Sequence, residues 1–388
     1  MAILVVGFPY VRQSYFETFN HYPGNDELYF LLPKVWKIKN GRVIFRPPKQ
    51  ENIYTTKAFF HHSNYPVIGG LLKGWMPFFP FVLSRLKKEK KIRLVYACSE
   101  LNLLSTFYFN FWSKLFGLKC VNFTWENIPY WVKFHGLNWL IRKFIISTNL
   151  ALSDGIICGN RKGKEIFQKL TQKPIGVIPM SGVDTETFRR RGQEKKFNGY
   201  DLSAKIVFTF AGAIGYRKGI HLIIEAFKRV VAEIPSAHLI IAGSGEYEKE
   251  IKNLIQSSGL ADRITRFPWI EYGRLIELYE ASDVFLYPSI SYGGWEEQFG
   301  YSMAEASLME LPVISTYSGS INDIVKDGQT GILVQPGNIG SLSDAMVKLG
   351  SDSQLRKKMG QAGREYIVKN FSHEVVASKF HDFFEKFT

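Results

Sequence analysis

The sequence predicts an α/β protein with two domains, each built on a parallel β-sheet covered by helices. Strand-like and helix-like segments alternate regularly through the second half of the chain. The strand-like runs are apolar throughout, which is typical of strands buried on both faces. The length of 388 residues is sufficient for two hydrophobic cores.

The first half begins with a buried strand, ILVVGF, rather than a signal peptide, because the first residues lack a basic segment and a small-residue cleavage site. Further strand-like runs follow, with helices predicted over 105–116 and 137–150. These runs are RLVYACS, LKCVNFTWEN and DGIICGN. Spacing of the three cysteines fits neither a metal site nor a disulfide, so we expect buried, reduced thiols.

The stretch 65–84 carries a single charge, Lys73, and is long enough to suggest a membrane span. Its prolines and paired glycines argue against a spanning helix. The basic run 85–93, RLKKEKKIR, follows directly. We therefore expect a buried or membrane-facing loop and helix, which could lie in a bilayer interface with its apolar side down.

A polar, charged segment at 180–205 separates the two halves. We predict a first domain over 1–185 and a second over 203–372. The second has strands in KIVFTFAGAI, AHLIIAG, RITRFPWI, VFLYPS and LPVIST, and helices in IHLIIEAFKRVVAEI, YEKEIKNLIQSS and GRLIELYEA. Ligands of such sheets bind at the carboxyl ends of the strands, where the glycine-rich loops lie.

Positive charge is concentrated in the first half. Residues 1–190 hold 27 Lys/Arg against 11 Asp/Glu, whereas the remainder is close to neutral. This asymmetry indicates an anionic partner for the first half, such as acidic lipid or a phosphorylated acceptor. A basic surface kept for solubility is the alternative. Nucleic-acid binding is disfavoured, because the sequence has no motif for it.

Two glycine-rich loops each follow a predicted strand. The loop GAIGYRKG contains Gly212 and Gly215 and ends with the cations Arg217 and Lys218. Two cations beside a helix start are unfavourable unless an anion is present, so this loop is predicted to bind phosphate. The loop GSGE contains Gly243 and Ser244 and is either a second set of amide donors or a simple corner.

The segment EQFGYSMAEA contains Glu297 and Glu305. It resembles the start of a helix that would carry both carboxylates, with Glu305 about 12 Å further along the axis. The apolar neighbours of Glu305 predict a buried acid that needs a partner, and a carboxylate can accept both hydroxyls of a ribose. Of the adjacent acids Glu296 and Glu297, only Glu297 has the seven-residue separation from Glu305.

Taken in order, these segments resemble the retaining GT-B glycosyltransferases of family four. The resemblance rests on IPMSGVDTETF, the RKG loop, IIAGSGE, ASDVFLYPS, EQFGYSMAEA, LPVIST and the TGILV turn. It is strong over about 175–370 and faint before. It implies two Rossmann-like domains facing across a cleft, with the final helix, about 373–388, packing back on the first domain.

The resemblance also implies roles for individual residues. Glu297 would contact the donor sugar, Glu305 the ribose hydroxyls, and Lys218 the diphosphate. Two positions depart from the family. Ala213 stands where a second phosphate-binding Arg is common, a role that Arg217 could take, and Glu126 or Asn127 could replace an absent acceptor-side His.

We therefore expect Lys218, Glu297, Arg217 and Glu126 to be catalytic. The residues expected to bind the donor are Gly212, Gly215, Gly243, Ser244, Gln298, Phe299, Gly300, Tyr301, Ser302 and Glu305. No metal or cofactor is expected, since fixed cations and amides would stabilise the leaving diphosphate.

The expected reaction is retaining transfer of a hexose from a nucleotide-diphosphate sugar to a hydroxyl of a saccharide or lipid-linked acceptor. This would serve glycolipid, polysaccharide or glycan-chain synthesis. The expected location is cytoplasmic, with contact to an anionic membrane through the basic first half. The alternative is a non-catalytic membrane- or saccharide-binding protein on the same fold.

Overall fold

The computed structural model describes residues 1–37, 44–61 and 70–387. The chain divides into two compact units of similar size. The first comprises Met1–Gly182 together with His373–Thr388, and the second is Val183–Ser372.

The first unit is built on a seven-stranded parallel sheet in the order β5-β2-β1-β6-β7-β8-β9. Its strands are β1 Ala2–Val6, β2 Glu27–Pro33, β5 Ile53–Thr56, β6 Ile92–Ala97, β7 Lys119–Thr124, β8 Gly155–Cys158 and β9 Ile175–Val177. A separate antiparallel pair joins β3 Trp36–Lys37 to β4 Ile44–Phe45. Because β1 and β8 are apolar throughout and buried, helices can cover both faces of the sheet.

Helices of the first unit pack on opposite faces of this sheet. They are α1 Gln13–Asn20, α2 Phe79–Lys90, α3 Leu104–Leu115, α4 Tyr130–Lys133, α5 Gly136–Leu152, α6 Arg161–Gln168 and α14 His373–Phe384. Ile3 and Val5 of β1 face the core formed with α1 and α14. Leu4 and Val6 point the other way, to the core formed with α2 and α3. Alternate residues of one strand thus supply two cores.

The final helix α14 belongs to the first unit. Phe380 and Phe384 pack on Tyr96 of β6, and His373 bonds to the buried hydroxyl of Thr18 on α1 at 2.8 Å. Cys98, Cys120 and Cys158 are buried free thiols in the same unit.

The expectation for the apolar stretch 65–84 falls partly on residues 65–69, which lie outside the described residues. From Phe79 onward the chain forms α2, whose last turn carries Lys87, Lys88 and Lys90. In the described ranges, no helix combines the length and apolar character needed to cross a membrane.

The second unit contains a six-stranded parallel sheet in the order β14-β13-β12-β15-β16-β17. Its strands are β12 Ile206–Ala211, β13 Ala237–Ala242, β14 Ile264–Phe267, β15 Val284–Tyr287, β16 Val313–Thr316 and β17 Gly331–Val334. Its helices are α7 Ile220–Glu233, α8 Glu248–Ser257, α9 Leu275–Glu280, α10 Tyr301–Leu308, α11 Ile321–Ile324, α12 Ile339–Ser351 and α13 Ser353–Phe371.

The polar segment before β12 packs on the second unit. It forms a short hairpin of β10 Lys196–Phe197 and β11 Tyr200–Asp201. The carboxylate of Glu280 accepts hydrogen bonds from the backbone N–H groups of three consecutive residues, 191–193. These contacts explain why a segment without apolar periodicity is nevertheless ordered against the sheet.

Candidate active site

The sheet order of the second unit places β12 between β13 and β15, so the chain leaves β12 toward one side and returns to its other side at β15. Crevices at such a reversal, beyond the carboxyl ends of the strands, are the usual ligand sites of open α/β sheets. The loop after β12 carries Arg217 and Lys218, and the loop after β15 carries Glu297.

Lys218 is the centre of this site. It is 6% exposed and lies in a short 3-10 helix, Tyr216–Lys218, just before α7. Its ammonium donates to Glu297 Oε2 at 2.5 Å and to the hydroxyl of Tyr287 at the end of β15. Burial lowers the pKa of Lys218, and the Glu297 carboxylate opposes that shift. The pair therefore joins the two loops across the reversal point.

Arg217 lies beside this pair. Its guanidinium carbon lies 3.4 Å from the ring centroid of Trp295, which is a cation–π contact. Its Nη1 atom is buried, and no hydrogen-bond partner for it is found within residues 1–37, 44–61 and 70–387. Buried donors are nearly always satisfied, so this nitrogen is suited to an anion.

Glu297 does not lie on the helix that carries Glu305, so the expectation of two carboxylates on one helix is wrong. Helix α10 begins at Tyr301, and Gly300 before it has the left-handed φ of +82°. A left-handed residue interrupts helical geometry, and Glu297 therefore belongs to the preceding loop. The adjacent Glu296 accepts a hydrogen bond from Ser291 Oγ at 2.9 Å within that loop.

Backbone contacts from the loop after β16 hold Glu297 in place. Ser320 N–H donates to the Glu297 carbonyl at 2.8 Å. Gly319 has a φ of +60°, and a Cβ added there would lie 2.1 Å from the same carbonyl oxygen. Only glycine allows this approach.

Gly319→Ala is accordingly expected to destabilise the protein by more than about 2 kcal/mol and to displace Glu297. Gly328→Ala is the matched control, because Gly328 has a φ of +71° but no atom within 4 Å of an added Cβ. Gly328→Ala should lower the free energy of unfolding by only about 1 kcal/mol, the strain of a left-handed alanine. Urea unfolding of both variants makes the comparison. Equal losses of stability in the two variants would show that the close contact between Gly319 and the Glu297 carbonyl does not contribute to stability.

Glu305 lies on α10 and is buried, as its apolar neighbours indicated. It lines a cavity of about 120 Å³ together with Gly212, Gly243, Tyr272 and Ser302. Burial raises the pKa of Glu305 to about 7, and hydrogen bonding from Tyr272 partly offsets the rise. A raised pKa in a concave site is typical of a functional carboxyl.

The glycine loops after β12 and β13 meet at this cavity. A Cβ added to Gly243 would lie 1.8 Å from the Gly212 carbonyl oxygen, so the two backbones touch. The Ile214 N–H donates to the Ser244 carbonyl at 3.0 Å. Gly215 is buried beside Glu246 of the second loop. The GSGE turn thus supports the RKG loop.

The remaining candidates of the second unit lie between Glu297 and the first turn of α10. Gln298 is half-buried in the loop. Phe299 is buried and packs on Tyr301 at 4.6 Å between ring centroids, and on Phe371 of α13 at 5.4 Å. These aromatic contacts fix the start of the helix beside the ionic pair.

Glu126 lies in the first unit, after β7. It is buried, and its two carboxylate oxygens accept hydrogen bonds from Lys133 Nζ at 3.1 and 2.8 Å. A second acid, Glu100, accepts from Thr124 Oγ1 and from Trp125 N–H. Burial and the neighbouring Glu126 raise the pKa of Glu100. The two acids therefore form one cluster at the carboxyl end of this sheet.

Several residues of the site were not among the sequence candidates. Tyr287 and Trp295 contact Lys218 and Arg217, and Tyr272 contacts Glu305. Each aromatic stands in or beside a segment already singled out, but aromatic side chains there resemble core residues in sequence. Gly319 had a weak signal, as one glycine of the loop YSGSIND after a predicted strand.

Metal ligation has no support among the residues described. No group of three or more His, Cys, Asp or Glu side chains within 1–37, 44–61 and 70–387 is arranged to hold an ion. The charged groups at the reversal point are the Lys218–Glu297 pair and Arg217.

Comparison with curated proteins relates this chain to known transferases. Residues 192–366 match the family described as glycosyl transferases group 1. Over 208 residues the chain is 29% identical to a GDP-mannose-dependent alpha-(1-6)-phosphatidylinositol monomannoside mannosyltransferase of Mycobacterium tuberculosis. That alignment covers 52% of this chain and 54% of the relative, so the chain spans about half the length of curated relatives that it matches.

Solved structures match over the whole chain. Sucrose-phosphate synthase from Thermosynechococcus elongatus has a TM-score of 0.77 at 16% identity, covering 100% of this chain and 98% of that one. Anabaena Alr3699/HepE in complex with UDP has a TM-score of 0.76 at 16% identity and full coverage of both chains. At this identity the likeness shows the fold alone. The chain has the two-domain α/β fold of the GT-B type, and its residues 192–366 are similar to the group 1 glycosyl transferases.

Proposed function

We propose that this protein is a glycosyltransferase that moves a hexose from a nucleotide-diphosphate sugar to a hydroxyl of a saccharide or lipid-linked acceptor, with retention at the anomeric carbon. The observation that carries the proposal is the buried Lys218–Glu297 pair at the reversal point of the second sheet. Its neighbours are Arg217, whose buried Nη1 has no hydrogen-bond partner in the part of the chain that the structure describes, and a cavity lined by a second carboxyl.

The donor would occupy both parts of this site. Glu305 would accept hydrogen bonds from the ribose hydroxyls beside a cavity lined by glycine backbone and aromatic rings. Arg217 and Lys218 would bind the diphosphate, and Glu297 would contact the hexose. Similar proteins agree with such donors, since one relative is a GDP-mannose-dependent transferase and one structural neighbour was solved in complex with UDP.

In the proposed reaction, these cations would stabilise the negative charge that develops on the leaving diphosphate. An ammonium has three N–H donors, and two of those on Lys218 bond to Glu297 and Tyr287. The third is suited to a phosphate oxygen. Fixed charges of this kind can act without a metal, and we propose metal-independent transfer. We name no enzymatic nucleophile for the retaining step.

The acceptor would be bound by the first unit, where Glu126 is the proposed catalytic group. Its carboxylate pairs with Lys133 and would also accept a hydrogen bond from an acceptor hydroxyl. The excess of positive charge in residues 1–190 supports an acidic or lipid-linked acceptor. We propose a cytoplasmic protein that contacts the inner face of the membrane and acts in glycolipid, polysaccharide or glycan-chain synthesis.

A panel of nucleotide-sugars tests the proposal. The true donor is expected to raise the free energy of unfolding by about 2.7 kcal/mol at a hundredfold excess over its dissociation constant. It should also be hydrolysed slowly or transferred. Thermal unfolding with UDP- and GDP-linked hexoses measures the first effect, and release of the nucleoside diphosphate measures the second.

Binding without any hydrolysis or transfer would support the alternative, a saccharide-binding protein that has kept the fold. Failure of every nucleotide-sugar to stabilise the protein would contradict both the donor site and the transferase proposal. Glu305→Gln in the same panel is the matched control, because it should weaken binding of the donor without removing a phosphate-binding cation.

A further inference from the structure

Three helices of the first unit form one layer over a single face of its sheet. α2 and α3 cover the core that includes Leu4 and Val6 of β1, on the face opposite α1 and α14. α5 packs against α3 in the same layer, and α2 packs against the other side of α3. We call the outward surface of α2, α3 and α5 the three-helix face.

The three-helix face exposes an unusual amount of apolar surface. On α5, Leu137, Leu140, Ile141 and Phe144 are all exposed, with Leu137 at 72% and Phe144 at 74%. Their spacing of i, i+3, i+4 and i+7 places them on one continuous stripe. The opposite stripe of the same helix, with Ile146 and Leu150, packs on the protein core. α5 is therefore apolar on both sides.

The neighbouring helices add to this stripe. Phe81 on α2 is 74% exposed, and Phe111 and Leu115 on α3 are exposed one turn apart. Single exposed apolar residues are ordinary on a soluble protein, but seven of them on three helices that pack in sequence indicate a binding surface.

The charges on these helices decide which partner fits. Helices α2, α3 and α5 together contain seven Lys/Arg and one acid, Glu89. The cations include Arg85 and Lys88 on α2 and Lys143 on α5, all exposed. Apolar stripes flanked by cations and almost free of acids match the interface of an anionic lipid bilayer, where apolar groups enter the headgroup boundary and lysines meet lipid phosphates.

A cavity of about 530 Å³ lies beside α5, on the side of the helix that carries Ile146 and Leu150. It is lined mainly by apolar and aromatic side chains, among them Trp131, Trp139, Ile146 and Leu150, and also by Lys143. Trp131 is itself exposed. Tryptophan is enriched where the apolar chains of a bilayer meet the lipid headgroups. This composition favours lipid over a sugar, whose hydroxyls would find few partners.

We propose that the three-helix face docks the protein on an anionic lipid bilayer, with Leu137, Leu140, Ile141 and Phe144 inserted at the headgroup boundary. The proposal assigns a surface to the membrane contact of the proposed function and rests on that part of it. It differs from the expectation drawn from the sequence in placing the main apolar contact on α5 rather than in 65–84.

Vesicle flotation of the full chain tests the docking surface. The protein should float with vesicles of phosphatidylcholine mixed with phosphatidylglycerol, float poorly with phosphatidylcholine alone, and be released by salt. The double variant Leu137→Glu/Phe144→Glu should bind anionic vesicles at least about tenfold more weakly. Lys143→Glu should reduce affinity for anionic vesicles on the order of tenfold, because of the change in charge alone.

Two exposed residues of the second unit provide matched controls. Ile339→Glu places the same acid at the first turn of α12, where the helix dipole tolerates it, and Lys357→Glu reverses an exposed lysine of α13. Both should float like the wild type. Thermal unfolding and nucleotide-induced stabilisation of the α5 double variant should be unchanged, which separates lost docking from lost folding.

Absence of wild-type flotation, or equal flotation of the double variant, would overturn the proposal. So would a wild-type dimer in sedimentation that the double variant converts to a monomer, since the face would then bind a second copy. Flotation needs no sugar donor, and the donor panel needs no vesicles. Failure of the docking surface is therefore distinguishable from failure of the transferase assignment.

Discussion

Replacement of Lys218 by alanine is expected to abolish glycosyl transfer, with a loss on the order of 10³-fold, because the variant lacks the ammonium proposed to bind the leaving diphosphate. The same change leaves Glu297 buried without its cation. Breaking a buried ion pair by removing one partner costs about 3–5 kcal/mol. We therefore expect lower stability as well as lost activity, measured by urea unfolding and by a transfer assay with the identified donor.

Adding Glu297→Ala to Lys218→Ala separates these two effects. The double variant should recover most of the stability, because no unpaired charge remains, but it should stay inactive. Lys228→Ala is the matched control, since Lys228 pairs with Glu225 on the surface of α7 and should change stability by less than about 1 kcal/mol. Full transfer activity in folded Lys218→Ala would disprove the phosphate assignment.

Glu305→Gln is expected to stabilise the protein without ligand at pH 8 while weakening nucleotide binding. In the folded protein the Glu305 carboxyl has a pKa of about 7, against an ordinary value of 4.5. Between these values the folded state holds a proton that the unfolded state releases, so this group lowers stability as pH rises from 4.5 to 7. Above pH 7 the full decrease in the free energy of unfolding is reached, on the order of 3 kcal/mol.

The glutamine variant escapes this loss because it carries no charge. Urea unfolding should show that Glu305→Gln raises the free energy of unfolding at pH 8 and raises it less toward pH 5. Glu365 is an exposed acid on α13, and Glu365→Gln should change the free energy of unfolding little at either pH. Nucleotide affinity should fall about tenfold or more, since a hydrogen bond to a charged acceptor contributes about 1.5–3 kcal/mol. A pH-independent gain, or unchanged affinity, would contradict the ribose role.

Much of the second unit was predictable because its strands are short, apolar and bounded by glycine loops. The predicted strand in KIVFTFAGAI is β12, and VFLYPS contains β15. The first unit was read less completely. β2 was not predicted, although Phe30, Leu31 and Leu32 are buried in it, because its first residues are polar and aromatic. The packing of 183–202 depends on Glu280, a contact that no local pattern reveals.

At the site, sequence spacing identified the charged residues but not how they are held. Lys218 and Glu297 come from loops 79 residues apart, and their pairing depends on β12 and β15 being neighbours in the sheet. The helix predicted to include Glu297 starts four residues later because Gly300 adopts a left-handed conformation. Aromatic partners such as Trp295 could not be distinguished from core residues by sequence alone.

The Lys218–Glu297 bond has a consequence for selectivity among anions. With no donor bound, the ammonium already has a counter-ion of its own, held at 2.5 Å. An incoming phosphate must share that ammonium with a carboxylate instead of meeting a bare charge, so a simple anion gains little free energy there. In the proposed function a nucleotide-sugar would gain further contacts at Glu305 and along the cavity. The internal counter-ion would therefore favour binding of the whole proposed donor over binding of small phosphates.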